Sequence, residues 1–291
     1  MATTRQLTLR PPVGQIDVSR GSIFFVGTAT VLIRYAGFTV LTDPNFLHRG
    51  QRVRLGYGLR STRLTEPALE IDELPPLDLV VLSHFHEDHF DRVAEARLPR
   101  ALPVITTPHA ADKLGRRGFA AAEALGTWQT VECAKADTRL RITAMPGRHG
   151  PAIVSALMPP TMGSMLEFET AAGDRLVRLY VTGDTLVYRE IREIRARYSD
   201  IDLALLHLGG TRILGVLVTM DGRQGVELMR RVSPGLSIPI HYNDYDVFKS
   251  PLSDFQREIR SAGLERHVRY LSHGDTYTFE VPRARPLARP A

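Results

Sequence analysis

The segment His84-Phe85-His86-Glu87-Asp88-His89 puts three histidines and an aspartate into six residues of a 291-residue chain that holds only ten histidines. Imidazole nitrogen and carboxylate oxygen are donors that Zn, Mn and Fe accept. The segment directly follows residues 78–82 (DLVVL), an apolar run that reads as a buried strand. A strand giving way to a tight turn presents alternate residues on one side, so His84 and His86 can reach one ion. Asp88 and His89 can face a second. The competing reading is a polar turn with incidental histidines, and the density of donors weighs against it.

One motif cannot complete two ion sites. Three further donors each close an apolar run: His149 after residues 140–144, Asp184 after 176–181 and His241 after 236–240. Each alone is weak, because a lone histidine at a strand end is usually structural. Together, and in this order, they form a set. No G-x-x-x-x-G-K-[ST] loop and no G-x-S-x-G turn occurs, which argues against P-loop NTPase and serine hydrolase chemistry.

The elements that must position these donors follow from hydrophobic periodicity. Residues 22–26, 30–35 and 38–42 read as strands, the last two joined by an Ala36-Gly37 turn. A Gly/Arg-rich loop follows Pro44. A helix is expected over 90–98, a strand over 104–106 and a helix over 108–116. Strands follow at 140–144, 164–169 and 176–181, the last two joined by a turn at 171–174. The second half alternates: helix 188–197, strand 203–206, helix 223–232, strand 236–240 and helix 251–262. Ser250 is the expected N-cap of that last helix and Gly263 its stop. Strands at 268–271 and 276–281 close the chain. This pattern suits an α/β fold of two mixed sheets packed face to face with helices on the outer faces. A single domain over 1–281 and a flexible Pro/Arg/Ala-rich tail over 282–291 are expected.

Composition bounds the answer. With 43% hydrophobic and 24% charged residues, the chain is of the ordinary globular class. Its one cysteine, Cys133, excludes a disulfide scaffold and any thiolate-rich zinc module, and fits a reducing compartment. No apolar run of about 18 residues calls for a membrane span. Residues 1–12 lack the apolar region of a signal peptide, so a cytoplasmic protein is expected. The formal charge is +5, and only three lysines (Lys113, Lys135, Lys249) stand among the 37 basic residues. A mildly basic surface suits an anionic small molecule, nucleic acid or an acidic membrane surface. No basic strip interleaved with aromatics is present, which argues against nucleic acid. A homo-oligomer is left open.

The order HxHxDH, His, Asp, His, each after a strand, resembles the metallo-β-lactamase superfamily over about residues 21–279. Within it the chain looks most like the branch that holds L-ascorbate-6-phosphate lactonase and the N-acyl-phosphatidylethanolamine phospholipase D group. Residues 27–33 (GTATVLI), Thr42-Asp43-Pro44, residues 73–78 (ELPPLD) and Gly183-Asp184-Thr185 carry that likeness. The resemblance implies an αββα sandwich. It implies one ion on His84, His86 and His149, a second on Asp88, His89 and His241, and Asp184 bridging both. Two divalent ions are expected, zinc first, with manganese or iron as alternatives. Asp43 would orient a ligand histidine through a hydrogen bond. True β-lactamases of this fold use a cysteine ligand; Cys133 follows none of these motifs, so antibiotic hydrolysis is not implied. His207, at the end of residues 203–206, matches no shared ligand. It reads equally as a substrate contact, a residue that holds a ligand, or a satisfied core histidine.

Two ions a few ångström apart can bridge a water, lower its pKa toward neutrality and polarise a carbonyl or phosphoryl oxygen. Asp88 would both ligate and take the water's proton, with His207 as a second catalytic candidate. The expected reaction is hydrolysis of a small anionic lactone or ester. The alternative is a phosphodiesterase acting on a phospholipid or nucleotide. A non-catalytic metal-binding protein of the same fold is the reading from another class, and the complete donor set argues against it.

Residues 44–63 hold Arg49, Arg52, Arg54, Arg60 and Arg63 and no acidic residue. This loop starts beside Asp43 and could overhang the ions, with Arg52 and Arg54 gripping an anionic group. A solvated loop in an arginine-rich chain is the even alternative. Tyr242, beside His241, is a candidate substrate contact, set against an ordinary turn at 242–245. Residues 158–162 read as an apolar rim or a plain loop. Trp128 and Cys133 are assigned to the core, and His48, His109, His267 and His273 to structural roles.

Overall fold

The computed structural model describes residues 5–10, 15–56 and 58–281. The expected tail over 282–291 lies outside the described residues. Two seven-stranded sheets carry the architecture. One runs, in spatial order, Arg5–Thr8, Thr130–Lys135, Thr138–Pro146, Met162–Thr170, Arg175–Val181, Leu203–His207 and Leu236–Ile240. The other runs Thr276–Glu280, Arg20–Gly27, Thr30–Tyr35, Phe38–Thr42, Leu79–Val81, Val104–Thr106 and Ala122–Ala124. Their facing sides bury one apolar cluster drawn from both sheets, including Ile23, Ile33, Val40, Leu140, Leu166 and Leu205.

Helices cover the two outer faces. Gly222–Val232, Leu252–Ala262 and Arg192–Arg197 pack on Tyr180, Ala204 and Leu206 of the first sheet. Arg92–Arg97 and Pro108–Gly115 pack on Leu41, Val80 and Val104 of the second. The order of layers is therefore helix, sheet, sheet, helix, as the alternation of elements requires. Gly222–Val232 shows why the sequence folds this way locally. It buries Val226, Leu228, Met229 and Val232 on one stripe, and the Asp221 carboxylate caps it by accepting from Gln224 N. A Cβ at Gly222 would lie 2.5 Å from the Phe255 backbone nitrogen, so only glycine lets the two helices approach this closely. No helix among the described residues is long and apolar enough to cross a membrane.

Parallel pairing decides where the donors emerge. Phe38–Thr42, Leu79–Val81 and Val104–Thr106 run parallel in one sheet. Arg175–Val181, Leu203–His207 and Leu236–Ile240 run parallel in the other. Both sets finish at the same end of the sandwich, where Asp43 from one sheet meets His207 from the other at 3.2 Å.

Several sequence expectations are corrected. Ser250 does not cap Leu252–Ala262. Pro251 holds that position, while Ser250 Oγ accepts from Gly222 N and donates to Asp254. Residues 268–271 form no strand, only a single bridge from Val268 to Ser237, and the Leu271 carbonyl accepts from the Tyr242 hydroxyl instead of a neighbouring strand. Residues 188–197 split into a 3₁₀ turn, Arg189–Ile191, and the short helix Arg192–Arg197. The Gly/Arg-rich loop contains a hairpin, Arg52–Gly56 with Leu59–Thr62. Arginine alternates there with buried Val53 and Leu55, which is the period of a half-buried strand.

Candidate metal centre

Each donor-bearing turn is fixed by short backbone contacts. Ser83 N donates to Asp43 Oδ1 at 2.7 Å, locking the start of the histidine-rich turn to the neighbouring strand end. Asp43 sits at φ 35° and His241 at φ 60°, the left-handed region that costs a non-glycine residue energy. Such outliers at two strand ends that carry donors are local strain held by the surrounding structure.

The donors form two triads. Ligand-type atoms of His84, His86 and His149 lie within 4.8 Å of one another, and so do those of Asp88, His89 and His241. Asp184 stands between them, with Oδ2 3.5 Å from His89 Nε2 and 3.8 Å from His149 Nε2, and Oδ1 3.6 Å from His241 Nδ1. All seven residues are buried.

Several rings are aimed by their second nitrogen. His149 Nδ1 donates to the Val218 carbonyl at 3.0 Å, and His241 Nδ1 to the Leu208 carbonyl at 3.1 Å. A carbonyl only accepts, so the proton sits on Nδ1 and Nε2 keeps its lone pair. His89 Nδ1 faces Asp43 Oδ2 at 3.3 Å. The consequence is a group of orphans: Asp88 Oδ1, Asp184 Oδ1, His89 Nε2 and His241 Nε2 are buried with no hydrogen-bond partner. Leaving one such atom unsatisfied costs about 1–3 kcal/mol. Four in one cluster fit a divalent cation, which accepts lone pairs from all of them. The absence of thiolate suits Zn, Mn or Fe equally.

The electrostatics divide the two triads: burial opposes charge on His89 and His241, but Asp184 and Asp88 raise both above the usual imidazole range, so a cation entering there displaces their protons. Burial lowers the pKa of His84, of His149 and of His86, the last to about 3, and so keeps these rings in the neutral form that binds metal. Burial opposes charge on the carboxylates too, but His89 and His241 hold Asp184 well below the usual carboxylate range. Asp43 is held down to about 2 by His89 and His207 against the same effect of burial.

Comparison with known proteins bears directly on this arrangement. The family profile of the beta-lactamase superfamily domain matches residues 39–242, a span that includes every donor from Asp43 to His241. The chain belongs to the metallo-β-lactamase superfamily. A metal-dependent hydrolase of Nanoarchaeum equitans is 25% identical over 200 residues, 68% of this chain and 85% of that one. Among solved structures, an isothiocyanate hydrolase from Delia radicum gut bacteria superposes with a TM-score of 0.74 at 19% identity, over 89% of this chain and 100% of that one. The diiron β-hydroxylase CmlA of Streptomyces venezuelae superposes with a TM-score of 0.65 at 16% identity, over 90% of this chain and 54% of that one. These two share the fold of this superfamily member.

Around the triads, two further residues of the superfamily member are engaged elsewhere. His207 has both ring nitrogens engaged: Nε2 faces Asp43 Oδ2 at 3.2 Å, and Nδ1 faces Thr182 Oγ1 at 3.2 Å. The same Thr182 oxygen accepts from His207 N, so its own proton is free to go to Nδ1. Fully buried and bonded at both ring nitrogens, His207 is packed behind His89 rather than within either triad. It holds Asp43, and Asp43 in turn holds His89. Tyr242 is engaged as well. Its hydroxyl donates to the Leu271 carbonyl at 3.0 Å and its ring joins the core between the sheets.

Arg52 and Arg54 lie exposed on the hairpin, and Arg54 N donates to Glu87 Oε2 at 2.7 Å, beside His86 and Asp88. Arg63 is fully buried instead. It donates to the Asn45 side chain and stacks on Tyr245, while Asn45 Nδ2 holds the Glu87 carbonyl at 2.9 Å. It braces the histidine-rich turn. His48 pairs with Glu66, His267 with the Gly235 carbonyl and His273 with Asp244, all outside the cluster. Cys133 is buried, as expected, and Trp128 is half-buried under Arg197. Sequence reasoning missed Thr219, whose hydroxyl donates to Asp184 Oδ2 at 3.1 Å. It also missed Ser83, whose hydroxyl lies 3.0 Å from His84 Nδ1. Hydroxyl residues are too common to signal such roles by type.

Proposed function

We propose that this superfamily member is a dinuclear metal-dependent hydrolase acting on a small anionic lactone or ester. The observation that carries the reading is the pair of triads flanking Asp184, with Asp88 Oδ1, Asp184 Oδ1, His89 Nε2 and His241 Nε2 buried and unpartnered. His84, His86 and His149 would hold one ion and Asp88, His89 and His241 the other, with Asp184 shared. Bound divalent ions supply an acidified water and polarise the scissile carbonyl or phosphoryl oxygen. Asp88 Oδ1 and Asp184 Oδ1 are both unpartnered, and Asp88, which is not shared between the triads, would receive the proton. The Val218 and Leu208 carbonyls keep His149 and His241 in the ligating tautomer. Arg52 and Arg54, on a hairpin tied to Glu87, would receive the anionic group.

The name of the relative as a metal-dependent hydrolase supports the reaction class. Zinc is the expected ion; manganese and iron accept the same donors, and the fold also carries a diiron enzyme. The likeness of residues 27–33 and 42–44 to the lactonase and phospholipase D branch supports a hydrolytic reaction and suits both substrate classes. A phosphodiester is the second reading, since exposed arginines suit a phosphoryl group equally. A cytoplasmic location accompanies either.

The test is elemental analysis of the purified protein, paired with hydrolysis of a lactone panel and of bis-p-nitrophenyl phosphate, with Asp184→Ala alongside. About two ions per chain and turnover that is lost in the variant are expected. Faster hydrolysis of the phosphodiester selects the second reading. No bound ion, and no activity after addition of Zn, Mn or Fe, overturns both.

A further inference from the structure

Val218 and Thr219 are neighbours that carry no ligand-type atom of the cluster, yet each holds a residue that does. The Val218 carbonyl accepts from His149 Nδ1 at 3.0 Å, and the Thr219 hydroxyl donates to Asp184 Oδ2 at 3.1 Å. Both residues are fully buried. Backbone bonds pin the stretch on either side of the hydroxyl. Val218 N donates to the Thr211 carbonyl at 2.9 Å and Met220 N to the Thr185 carbonyl at 3.1 Å, while the Met220 carbonyl accepts from Gly210 N at 3.0 Å. Threonine is stiff about χ1, so a hydroxyl on this backbone is held at one point. Asp184 itself comes from another element, the turn after Arg175–Val181. Its ion-pair contacts are with His89, His149 and His241, rings that themselves belong to the triads. Among the described residues, Thr219 is the hydrogen-bond partner of that carboxylate from outside the donor set.

A buried threonine needs an acceptor, and a backbone carbonyl would satisfy it. That need does not explain why the acceptor here is the carboxylate that stands between the triads. The triads differ in charge. Asp88 gives one of them a carboxylate of its own, whereas His84, His86 and His149 offer only imidazole nitrogen. A divalent ion on those three rings therefore takes its anionic donor from Asp184. We propose that Thr219 is a positioning residue for that ion, fixing the Asp184 carboxylate as Val218 fixes the His149 ring. This rests on the dinuclear reading of the cluster. The bond also makes the two carboxylate oxygens unequal. Oδ2 gives one of its two lone pairs to the hydroxyl, and Oδ1, without a partner, keeps both. The end torsion of an aspartate is broad and roughly two-fold. Without the hydroxyl the carboxylate turns more freely, and the anionic donor is no longer held for the three rings.

The test is zinc binding by the wild type, Thr219→Val, Thr219→Ala and Thr219→Ser, each titrated against a chromophoric chelator. The wild type should hold two equivalents. Thr219→Val and Thr219→Ala should lose about 10–100-fold in affinity for one equivalent, with the other little changed. Thr219→Ser keeps the hydroxyl and should restore the lost affinity. X-ray absorption of Thr219→Val loaded with one equivalent should find two imidazoles on the zinc, those of His89 and His241. Three imidazoles, equal losses at both equivalents, or no loss in Thr219→Val and Thr219→Ala overturns the proposal and leaves the dinuclear reading standing. A loss that Thr219→Ser shares overturns it as well, because the threonine methyl and not the hydroxyl then matters. If Thr219→Ser folds while Thr219→Val and Thr219→Ala do not, the hydroxyl stabilises the fold and the proposal falls. A wild type that holds fewer than two equivalents overturns the dinuclear reading and this proposal together.

Discussion

An aspartate immediately precedes the strand Leu79–Val81 and another lies in the turn beyond it, and the molecule completes only the first. Before it, Asp78 is half-buried and saturated: Lys135 Nζ donates to both carboxylate oxygens at 2.6 and 2.7 Å, and Thr39 N donates to Oδ2 at 2.8 Å. In the turn that follows it, Asp88 keeps Oδ1 without a partner, as does Asp184 from the facing sheet. The same residue type is half-buried at one end of the sandwich and buried at the other. A saturated carboxylate stabilises the fold, whereas an unsaturated one costs stability that only a ligand restores. One end of these strands holds the structure together and the other is open for chemistry.

The strongest way to break that contrast is at the open end. Asp184→Asn should weaken metal retention by more than about a hundredfold, measured by competition with a chromophoric chelator. Its chelated form should resist urea as well as chelated wild type does. A variant that unfolds would place Asp184 among the stabilising residues. At the closed end the prediction reverses. Lys135→Met strands the Asp78 carboxylate and should lower unfolding stability by about 3–5 kcal/mol in urea, with unchanged metal content. Metal loss in that variant would merge the two ends. Asp43→Asn sharpens the boundary, since Asp43 touches the triad only through His89 Nδ1 and is held on its other side by His207. It should reduce metal affinity by about 10–100-fold while leaving the ion count at saturation intact. The smallest effect belongs to the exposed hairpin. Replacing Arg52 and Arg54 by serine should raise KM for an anionic substrate about tenfold with kcat held, and an unchanged KM would reduce the hairpin to a solvated edge.

Most strands of the two sheets were legible because their apolar period is local: Thr30–Tyr35, Phe38–Thr42, Val104–Thr106 and Leu236–Ile240 match the expected bounds. Edge strands such as Arg5–Thr8 and Ala122–Ala124 carry no such pattern, since each presents little buried surface. The seven donors were legible because few residue types bind metal and each follows a strand. His207 satisfied the same rule, and the sequence left its role open. Its distinction from His241 lies wholly in what surrounds each ring. His241 Nε2 is left open, while His207 Nε2 is closed by Asp43, 164 residues away.

The sequence by itself determined which side chains could bind an ion, their order, and the strand that precedes each one. Residue type and hydrophobic period are properties of short segments, and they set which face an element buries. Only the tertiary structure decided which nitrogen of each ring points inward, which aspartate is saturated, and that Tyr242 turns into the core. Those outcomes depend on partners that are backbone carbonyls, such as Val218 and Leu208, or residues from the other sheet. A carbonyl looks the same in every residue, and contacts across two sheets leave no trace in local spacing.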